Sequence, residues 1–427
     1  MTIGGYLPVN WEIRRNWKYT SLTENPLDSS YNGGGPLPTG GLPFTTKNCN
    51  EFKNGSYVLM EGNVCSNSWN TVDQLGASLL VTPKDQSNIA PSAQITNLIY
   101  RYNRSSDTNV GLGVSNAIAT TGGTAYQGNT MIFHDNVIAE LGSPTLTCAY
   151  VYLNLTANAV SCYNNVPQQT QAIRSGSPGA TSSTPNFIQG NIHFIHNDWL
   201  SQNQSVILLT GGPQTNPSGQ YGMVWKDSII GNGNSTPPIG NAGGAGTVSG
   251  NVSVTGSGTT VTWVSGGQFL CTTIWGQGTQ ITINSINYII AVCTDNTDIV
   301  LQTPAPLSAS VKYSVSGSCT GSCTGAGNTP SCVINTCWNA PIWDYNAVYG
   351  FSANTQTWPG GHTQLYAAAT SLGMVNYNNS IPATASNWAS QFAVTSGPLL
   401  NAGDDGLSIG ANTSLVGNYT LNVDVLQ

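Results

Sequence analysis

Charged side chains that could act on an acidic sugar are concentrated near the start of the sequence. Only 7 % of the residues are charged, yet Glu51, Lys53 and Glu61 occur within eleven residues. Lys84 and Asp85 follow an apolar run one repeat later, and eight of the eleven Lys and Arg residues lie in the first 104 positions. If the protein has a reactive site, this distribution predicts that it lies in the first part of the chain.

These residue types suit β-elimination on a uronate polysaccharide. In that reaction a cation neutralises the sugar carboxylate, and a Lys or Arg whose pKa is lowered by desolvation or by neighbouring cations removes the proton on the adjacent carbon. By this logic we assign catalytic roles to Lys53, Lys84 and Arg101. The substrate-binding roles go to nearby charged and aromatic side chains, namely Glu51, Glu61, Asp85, Trp69 and Arg104. No metal ligand is assigned, and Ca²⁺ is the one cofactor that the carboxylates could recruit.

Several polar residues have two interpretations. Glu51, Lys53 and Glu61 could instead be solvent-exposed ion pairs that keep a sheet face soluble. Asp404 and Asp405 offer the two carboxylates that glycoside hydrolysis needs, but a polar turn is the simpler interpretation. His193 and His196 flank one strand and alternation directs them to opposite faces, which argues against a joint metal site.

A repeated pattern predicts the elements that must position these residues. Short alternating strands end in a polar marker residue, with separations of 47, 40, 33, 61, 31 and 118, at Asn16, Asn63, Asn103, Asn136, Asn197, Ser228 and Asn346. Asn tolerates left-handed backbone geometry, and its amide can bond both the bend and the Asn one turn away. A strand that ends in such a bend once per turn, with no helix between, predicts a parallel β-helix. An antiparallel sandwich is the alternative, but hairpin turns of the NG or DG type do not recur at the spacing it needs.

The composition favours an all-β fold and divides the 427 residues into three parts. The 49 Gly and the abundant Asn, Ser and Thr leave few residues for amphipathic helices. Residues 1–240 are predicted to form the first part of the parallel β-helix. After a Gly-rich linker, residues 241–318 have the pattern of a small inserted β-module. Residues 319–427 are predicted to hold a Cys-rich loop and the final coils.

Cysteine and charge content indicate the compartment and the partners. The ten cysteines form local groups, Cys49 with Cys65, Cys148 with Cys162, Cys271 with Cys293, and four within residues 319–337, as expected for disulfides in an oxidising compartment. The last four could also bind zinc, although no His lies near them. The net charge of −7 makes nucleic acid an unlikely partner. No apolar run reaches the ~18 residues of a membrane span. No signal peptide is visible and patterned sequence begins almost at once, so we expect the chain to be a piece of a longer protein.

Several segments resemble the right-handed parallel β-helix proteins found in acidobacterial genomes, a pectate-lyase-like group. They include WEIRRNWKYTS, NEFKNGSYVLMEGNVCSNSW, QYGMVWKDSIIGNGN and GHTQLYAAATSLGMVNYNN. The resemblance extends over most of the chain apart from the inserted module, and it implies a fold rather than an activity. The Glu-x-Lys pair, followed by a basic residue after the next strand, is also similar to the alginate- and chondroitin-lyase group of β-helix enzymes. That similarity implies lyase chemistry at Lys53 and Lys84.

We therefore expect an extracellular β-helix protein that binds or cleaves a polysaccharide, with lyase chemistry on an acidic polysaccharide preferred over hydrolysis. The alternative is a non-catalytic surface, filament or adhesion protein that assembles through the ends of the β-helix. The expected partner is a polysaccharide, with self-association in the second case. Neither nucleic acid nor membrane insertion is expected.

Overall fold

A computed structural model of the chain describes residues 7–21, 48–68, 76–83, 93–108, 110–114, 128–141, 151–154, 159–162, 171–175, 190–201, 207–209, 222–232, 239–241, 248–269, 280–315, 330–338, 340–350, 358–367, 369–377 and 386–424. Strands dominate these residues and helices are few and short. None of the described helices combines the length and hydropathy that a membrane-spanning helix needs.

The first eleven strands in chain order are β1 (Val9–Arg14), β2 (Trp17–Tyr19), β3 (Asn50–Phe52), β4 (Gly55–Glu61), β5 (Val64–Ser68), β6 (Ala77–Val81), β7 (Ile95–Arg101), β8 (Arg104–Thr108), β9 (Val110–Val114), β10 (Asn129–His134) and β11 (Val137–Leu141). They are followed by β12 (Val151–Asn154), β13 (Ala159–Cys162), β14 (Gln171–Ser175), β15 (Gly190–Ile195), β16 (Asp198–Ser201), β17 (Ile207–Leu209), β18 (Val224–Lys226), β19 (Ile229–Asn232) and β20 (Ile239–Asn241).

The remaining strands are β21 (Val248–Thr255), β22 (Thr260–Gly266), β23 (Gln280–Ile283), β24 (Ile286–Cys293), β25 (Asp298–Leu301), β26 (Ser308–Val315), β27 (Ile342–Asp344), β28 (Ala347–Tyr349) and β29 (Gln364–Tyr366). The helices are α1 (Pro330–Cys337), α2 (Trp388–Phe392), α3 (Thr413–Thr420) and a 3₁₀ helix at Ala369–Leu372.

Three parallel sheets contain most of the strands, so the predicted all-β class is confirmed. Sheet A has the order β1-β4-β7-β10-β15-β18-β27, and sheet B has the order β2-β5-β8-β11-β16-β19-β28-β29. Sheet C has the order β3-β6-β9-β14-β17-β20. The chain visits A, then B, then C, and returns to A beside the strand that it left one turn before. The short pair β12 and β13 is antiparallel and stands apart from these sheets.

The predicted Asn ladder is confirmed at the corner between sheets A and B. The Asn16 Nδ2 donates to Asn63 Oδ1 at 3.2 Å, and the Asn63 Nδ2 donates to Asn103 Oδ1 at 2.9 Å. Asn136 and Asn197 continue the series, and Ser228 and Asn346 extend it through backbone-to-side-chain bonds. Each amide therefore satisfies polar groups of two successive turns inside the protein.

The left-handed residue of each bend precedes the marker Asn, which corrects the prediction that the Asn itself takes this geometry. Positive φ angles between 50° and 64° fall on Arg15, Gly62, Tyr102, Asp135, His196, Asp227 and Tyr345. We call these seven positions the corner row. The marker is left free to keep its amide aimed along the ladder, while the preceding residue turns the chain from sheet A into sheet B.

The space between the three sheets is filled by apolar side chains. Phe52, Val58 and Met60 are buried in this core, as alternation predicts. Aromatic rings stack from turn to turn, with Phe133 to Phe194 at 5.3 Å and Phe194 to Trp225 at 4.4 Å between ring centroids. All three sheets contribute to one continuous core, which fixes the register of each strand against the next.

Val248–Val315 forms a closed six-stranded barrel of antiparallel strands in the order β21-β22-β25-β24-β23-β26. It has a core of its own, which includes Val252, Ile281 and Ile290. The barrel lies in the sequence between β18 and β27, which are nevertheless neighbours in sheet A. The separation of 118 between Ser228 and Asn346 therefore includes an interruption of the repeat by the barrel.

Residues 397–424, which we call the C-terminal strap, pack on the outer face of sheet B. Val137, Leu200 and Ile229 point outward from that sheet and form a second core with Leu399 and Val416 of the strap. The disulfide predicted for the first cysteine group is present between Cys49 and Cys65. The other eight cysteine side chains lie outside the described residues. Sheet B is thus covered on both faces, whereas the outer face of sheet A is open along part of its length.

Candidate ligand-binding groove

The residues predicted to bind an acidic sugar are distributed over three sheets. Glu51 and Lys53 lie at the end of β3 in sheet C and form a salt bridge of 3.3 Å. Glu61 and Arg101 lie at the ends of the neighbouring strands β4 and β7 in sheet A. Lys53 and Arg101 are therefore on different sheets, each beside its own carboxylate.

Glu61 is buried, which corrects its interpretation as a solvent-exposed ion pair. Arg101 holds it with two bonds, from Nη2 at 2.6 Å and from Nε at 2.7 Å to Oε2, and Arg14 lies 3.7 Å away. Only 5 % of the Glu61 side chain is exposed. A carboxylate held between two guanidinium groups is a structural anion rather than a free acid or base.

Arg104 belongs to sheet B and is bound by the C-terminal strap. Its Nη2 lies 2.6 Å from Asp424 Oδ1, its Nε donates to Thr420 Oγ1 at 3.0 Å, and its guanidinium carbon lies 4.9 Å from the Trp388 ring centroid. Burial lowers the pKa of Arg104, and Asp424 opposes that change. The predicted substrate-binding role of Arg104 has no open surface to act on, because the side chain is 4 % exposed.

Lys84, Asp85 and Trp69 lie outside the described residues. The predicted joint catalytic role of Lys53 and Lys84 therefore stays a prediction. Of the predicted site residues that are described, only Glu61 and Arg101 contact each other across turns. The described residues also contain no group of three or more His, Cys, Asp or Glu side chains arranged to hold a metal ion.

A second charged cluster joins the corner row to the strap, and it includes the two aspartates predicted to form a polar turn. Asp405 Oδ2 lies 3.0 Å from His196 Nε2, and Asp404 forms a salt bridge with Lys226. The Asp404 backbone N donates to Asp227 Oδ1 at 2.9 Å. The two aspartates do lie in a turn, but their carboxylates hold the strap against sheet A and its corner.

The protonation of this cluster is shifted by burial and by neighbouring charges. Burial, together with the Asp404 side chain, raises the pKa of Asp227 to about 6. Burial acts to lower the pKa of His196, but the hydrogen bond to Asp405 and the nearby carboxylates outweigh it and raise this pKa. His196 and Asp227 are only 7 % and 1 % exposed. The cluster therefore clamps two parts of the chain together and leaves no room for a substrate at these two groups.

An open groove crosses sheet A on its outer face. Its volume is about 540 Å³, and it extends over β1, β4, β7 and β10. Its floor lies along a line on which each strand has one residue of positive φ at the same register. We call this line the groove row, and its members in sheet A are Asn10, Tyr57, Asn97, Thr130, Asn191, Gly222 and Ala340.

The groove row, like the corner row with Tyr102 and Tyr345, includes residues that avoid left-handed backbone. Asn and Gly adopt that geometry at low cost, whereas a β-branched or bulky residue there is an outlier. Tyr57 has φ 55° and Thr130 has φ 57°. Tyr57 is also 62 % exposed, so burial does not explain why a large ring occupies this strained position. Strain at an exposed aromatic residue is typical of a functional surface.

An apolar stripe runs beside the groove row, two residues further along each strand. Leu59, Ile99 and Ile132 stand in direct register on adjacent strands, and each is partly exposed. Trp11, 42 % exposed, and Glu12 close the groove on β1. The surface therefore offers an aromatic ring, aliphatic side chains, amide and hydroxyl groups, and one carboxylate.

No protein-family model, curated protein or solved structure matches this sequence. The assignment of function therefore depends on the geometry of the chain itself. The groove combines flat apolar contacts with polar groups at regular intervals, which is the combination that sugar rings require, since they present C–H faces and hydroxyl edges.

Sequence reasoning missed the groove, although the sequence contains a signal for it. Each member of the groove row lies six residues before the marker of its turn, as Tyr57 does before Asn63 and Asn97 before Asn103. A second series of Asn and Gly at a fixed distance from the ladder indicates a second bend in every turn. Tyr57 and Thr130 stand out in that series because bulky and β-branched residues are poorly suited to such a bend.

Proposed function

We propose that the three sheets wind as a right-handed parallel β-helix and that the protein is an extracellular polysaccharide-binding protein. The β-helix is supported by the repeated order A, B, C, by parallel pairing between successive turns and by one core shared by all three sheets. The preference of parallel crossover connections for one hand supports the right-handed form. The disulfide between Cys49 and Cys65 supports an oxidising compartment.

The observation that carries the binding proposal is the exposed, left-handed Tyr57 that lines an apolar groove. The backbone on both sides of this ring is fixed in the sheet, so a flat ligand that stacks on the ring need not order the chain first. The aliphatic stripe gives the ligand a second apolar contact, and the Asn side chains of the groove row supply hydrogen bonds. A polysaccharide presents both kinds of surface along its length.

Binding has more support than cleavage. A lyase needs a base and a cation at one sugar, whereas Lys53, Arg101 and Arg104 lie on three sheets, each beside a carboxylate. Lyase activity is tested directly by incubating the protein with alginate, pectate and chondroitin, with and without Ca²⁺. Ultraviolet absorbance of an unsaturated product would establish cleavage and require a site outside the groove.

The binding proposal is tested by affinity electrophoresis on a panel of plant and microbial polysaccharides. We expect at least one polysaccharide to retard the protein and the Tyr57→Asn variant to migrate faster in the same gel. Retardation of both proteins to the same extent would place binding elsewhere. Absence of retardation on every polysaccharide would refute the proposed function.

Self-association is the second candidate, and a specific observation favours it. The outer edge of sheet A is formed by β1, and Val9 and Trp11 there are 54 % and 42 % exposed, with Tyr19 of β2 at 51 %. A second copy of the chain could pair with this edge. Light scattering over a range of concentrations would detect the dimer, and Val9→Lys should abolish it, since an edge lysine opposes strand pairing. A monomer at all concentrations would exclude this role.

A further inference from the structure

The groove on sheet A differs in charge from the surface that an acidic polysaccharide would need. Glu12 is the one charged side chain that lines it among the described residues, and it is a carboxylate that is 61 % exposed. Arg14 lies 3.3 Å from Glu12 and 3.7 Å from Glu61, so its charge is shared between two acids of the protein. The groove therefore offers no cation of its own to a ligand.

The other described cations of the first turns are also engaged by the protein. Arg15 donates to the Tyr419 carbonyl at 3.0 Å and to the Leu421 carbonyl at 2.6 Å. Lys18 donates to the Cys49 carbonyl at 2.6 Å. The side chains of Lys53, Arg101 and Arg104 pair with carboxylates, as described above. A uronate bound in the groove would lose water without gaining a counter-charge, which is a large cost in free energy.

The polar groups of the groove suit neutral hydroxyls instead. Asn10, Asn97 and Thr130 provide amides and a hydroxyl that can both donate and accept hydrogen bonds. The Glu12 carboxylate accepts hydrogen bonds, and a sugar hydroxyl can donate to it. Charge complementarity therefore selects a ligand that has many hydroxyls and no negative charge.

The direction of the groove fixes how such a ligand lies. The groove row and the aliphatic stripe both run across the strands, with one residue per strand. Four strands contribute, so the floor spans three strand spacings, roughly 14 Å, the length of a linear chain of about three hexoses. A ligand parallel to these rows meets the same kind of contact at each step.

We infer that the groove binds a neutral linear polysaccharide, laid across β1, β4, β7 and β10, and not a uronate polymer. This inference rests on the proposed function, because it specifies the ligand of the same groove. Tyr57 stacks on one sugar, the stripe of Leu59, Ile99 and Ile132 contacts the C–H faces of its neighbours, and the groove-row side chains bind hydroxyls.

The test uses ligands that differ only in charge. Cello-oligosaccharides are compared with the same chains oxidised at C6 to uronates, and polygalacturonate and polymannuronate are compared with their carboxyl-reduced forms. Calorimetry with the full chain should give binding of at least one neutral form, and binding of its acidic partner weaker by about tenfold or more. The neutral binding should weaken in Tyr57→Asn and should change little between low and high salt.

Each other outcome overturns a defined part of the reasoning. Acidic forms that bind as tightly as neutral forms, with affinity that falls as salt rises, would overturn the inference and leave polysaccharide binding intact. Neutral binding that is unchanged in Tyr57→Asn would place the neutral ligand outside the groove and overturn the inference. Failure of every neutral and acidic form to bind would overturn the proposed function, and the inference with it.

Discussion

Replacing Tyr57 by Asn should separate the stability of sheet A from its ability to bind a ligand. The Tyr57 backbone has φ 55°, and its side chain is 62 % exposed. Left-handed geometry costs an ordinary L-residue roughly 1–2 kcal/mol, and Asn is among the residues that visit it routinely. The ring loses little burial when it is removed. We therefore expect the variant to be more stable than the natural protein by about 0.5–1 kcal/mol.

The same change should weaken binding. A well-placed aromatic contact contributes about 0.5–1.5 kcal/mol beyond the area it buries. Its loss corresponds to a dissociation constant higher by roughly two- to tenfold, since about 1.4 kcal/mol is tenfold. Unfolding by urea measures the first quantity, and calorimetry with the best polysaccharide of the panel measures the second.

Tyr19→Asn is the matched control. Tyr19 is also an exposed tyrosine, at 51 %, but it lies on β2 in sheet B and takes part in neither the groove row nor the groove. We expect this variant to bind like the natural protein. The reasoning is refuted if Tyr57→Asn destabilises the protein by more than about 1 kcal/mol, because the strain argument would then be wrong. It is equally refuted if both tyrosine variants bind alike.

Three further predictions concern the corner row, the ladder and the strap. Gly62→Ala should weaken the protection of α3 from hydrogen exchange more than Gly406→Ala does. Both glycines have positive φ, but only at Gly62 would the new Cβ meet a backbone oxygen, that of Tyr419 at 2.6 Å. Equal effects of the two substitutions would mean that backbone strain alone acts. Asn103→Ala should destabilise the fold by at least about 3 kcal/mol in urea unfolding, since it removes four buried hydrogen bonds of the ladder. A loss below about 1 kcal/mol would contradict a structural role for the ladder. Raising the pH from about 5 to about 8 should lower the hydrogen-exchange protection of the strap, corrected for intrinsic rates, by about tenfold. The reason is that the pKa of Asp227 is raised to about 6, so the folded state binds a proton that the unfolded chain releases. Asp227→Asn should reduce this pH dependence, and an unchanged dependence would contradict the assignment.

The sign of the pH effect follows from the direction of the shifts. A folded pKa above the unfolded value gives stability that is present at low pH and is lost as the pH rises through the folded pKa. The contribution of Asp227 is lost as the pH rises through about 6, and that of His196, whose pKa is also raised, is lost only at a pH above its ordinary range. Lys226 lowers the pKa of Asp404, whose contribution is lost only in acid below its ordinary range. The strap should therefore dock most firmly between about pH 4 and pH 6.

Much of the fold could be predicted because it depends on short-range patterns in the sequence. Alternation with period two placed Phe52, Val58 and Met60 in the core. The spacing of the markers located the ladder correctly at each of its seven positions. Both patterns depend on what a strand and its bend need locally, and each turn repeats the same need.

The pairing of the charged residues could not be predicted in the same way, because it depends on parts of the chain that are distant in sequence. Arg104 meets Asp424 from 320 positions away, and His196 meets Asp405 from 209 positions away. No periodicity connects these residues. Scarcity of charge directs attention to the first turns, but it did not indicate that protein carboxylates and carbonyls already hold the described cations there.

By itself, the sequence determined the all-β class, the positions of the ladder markers, the inward-facing residues Phe52, Val58 and Met60, and the pairing of Cys49 with Cys65. Only the tertiary structure decided which surface stays open. The strap covers sheet B and fixes the charges of the corner, while the bends of sheet A line up into a groove that begins at Trp11 and Tyr57. The physical reason is that strands and bends follow from neighbouring residues, whereas access to solvent depends on which distant segment packs on each face.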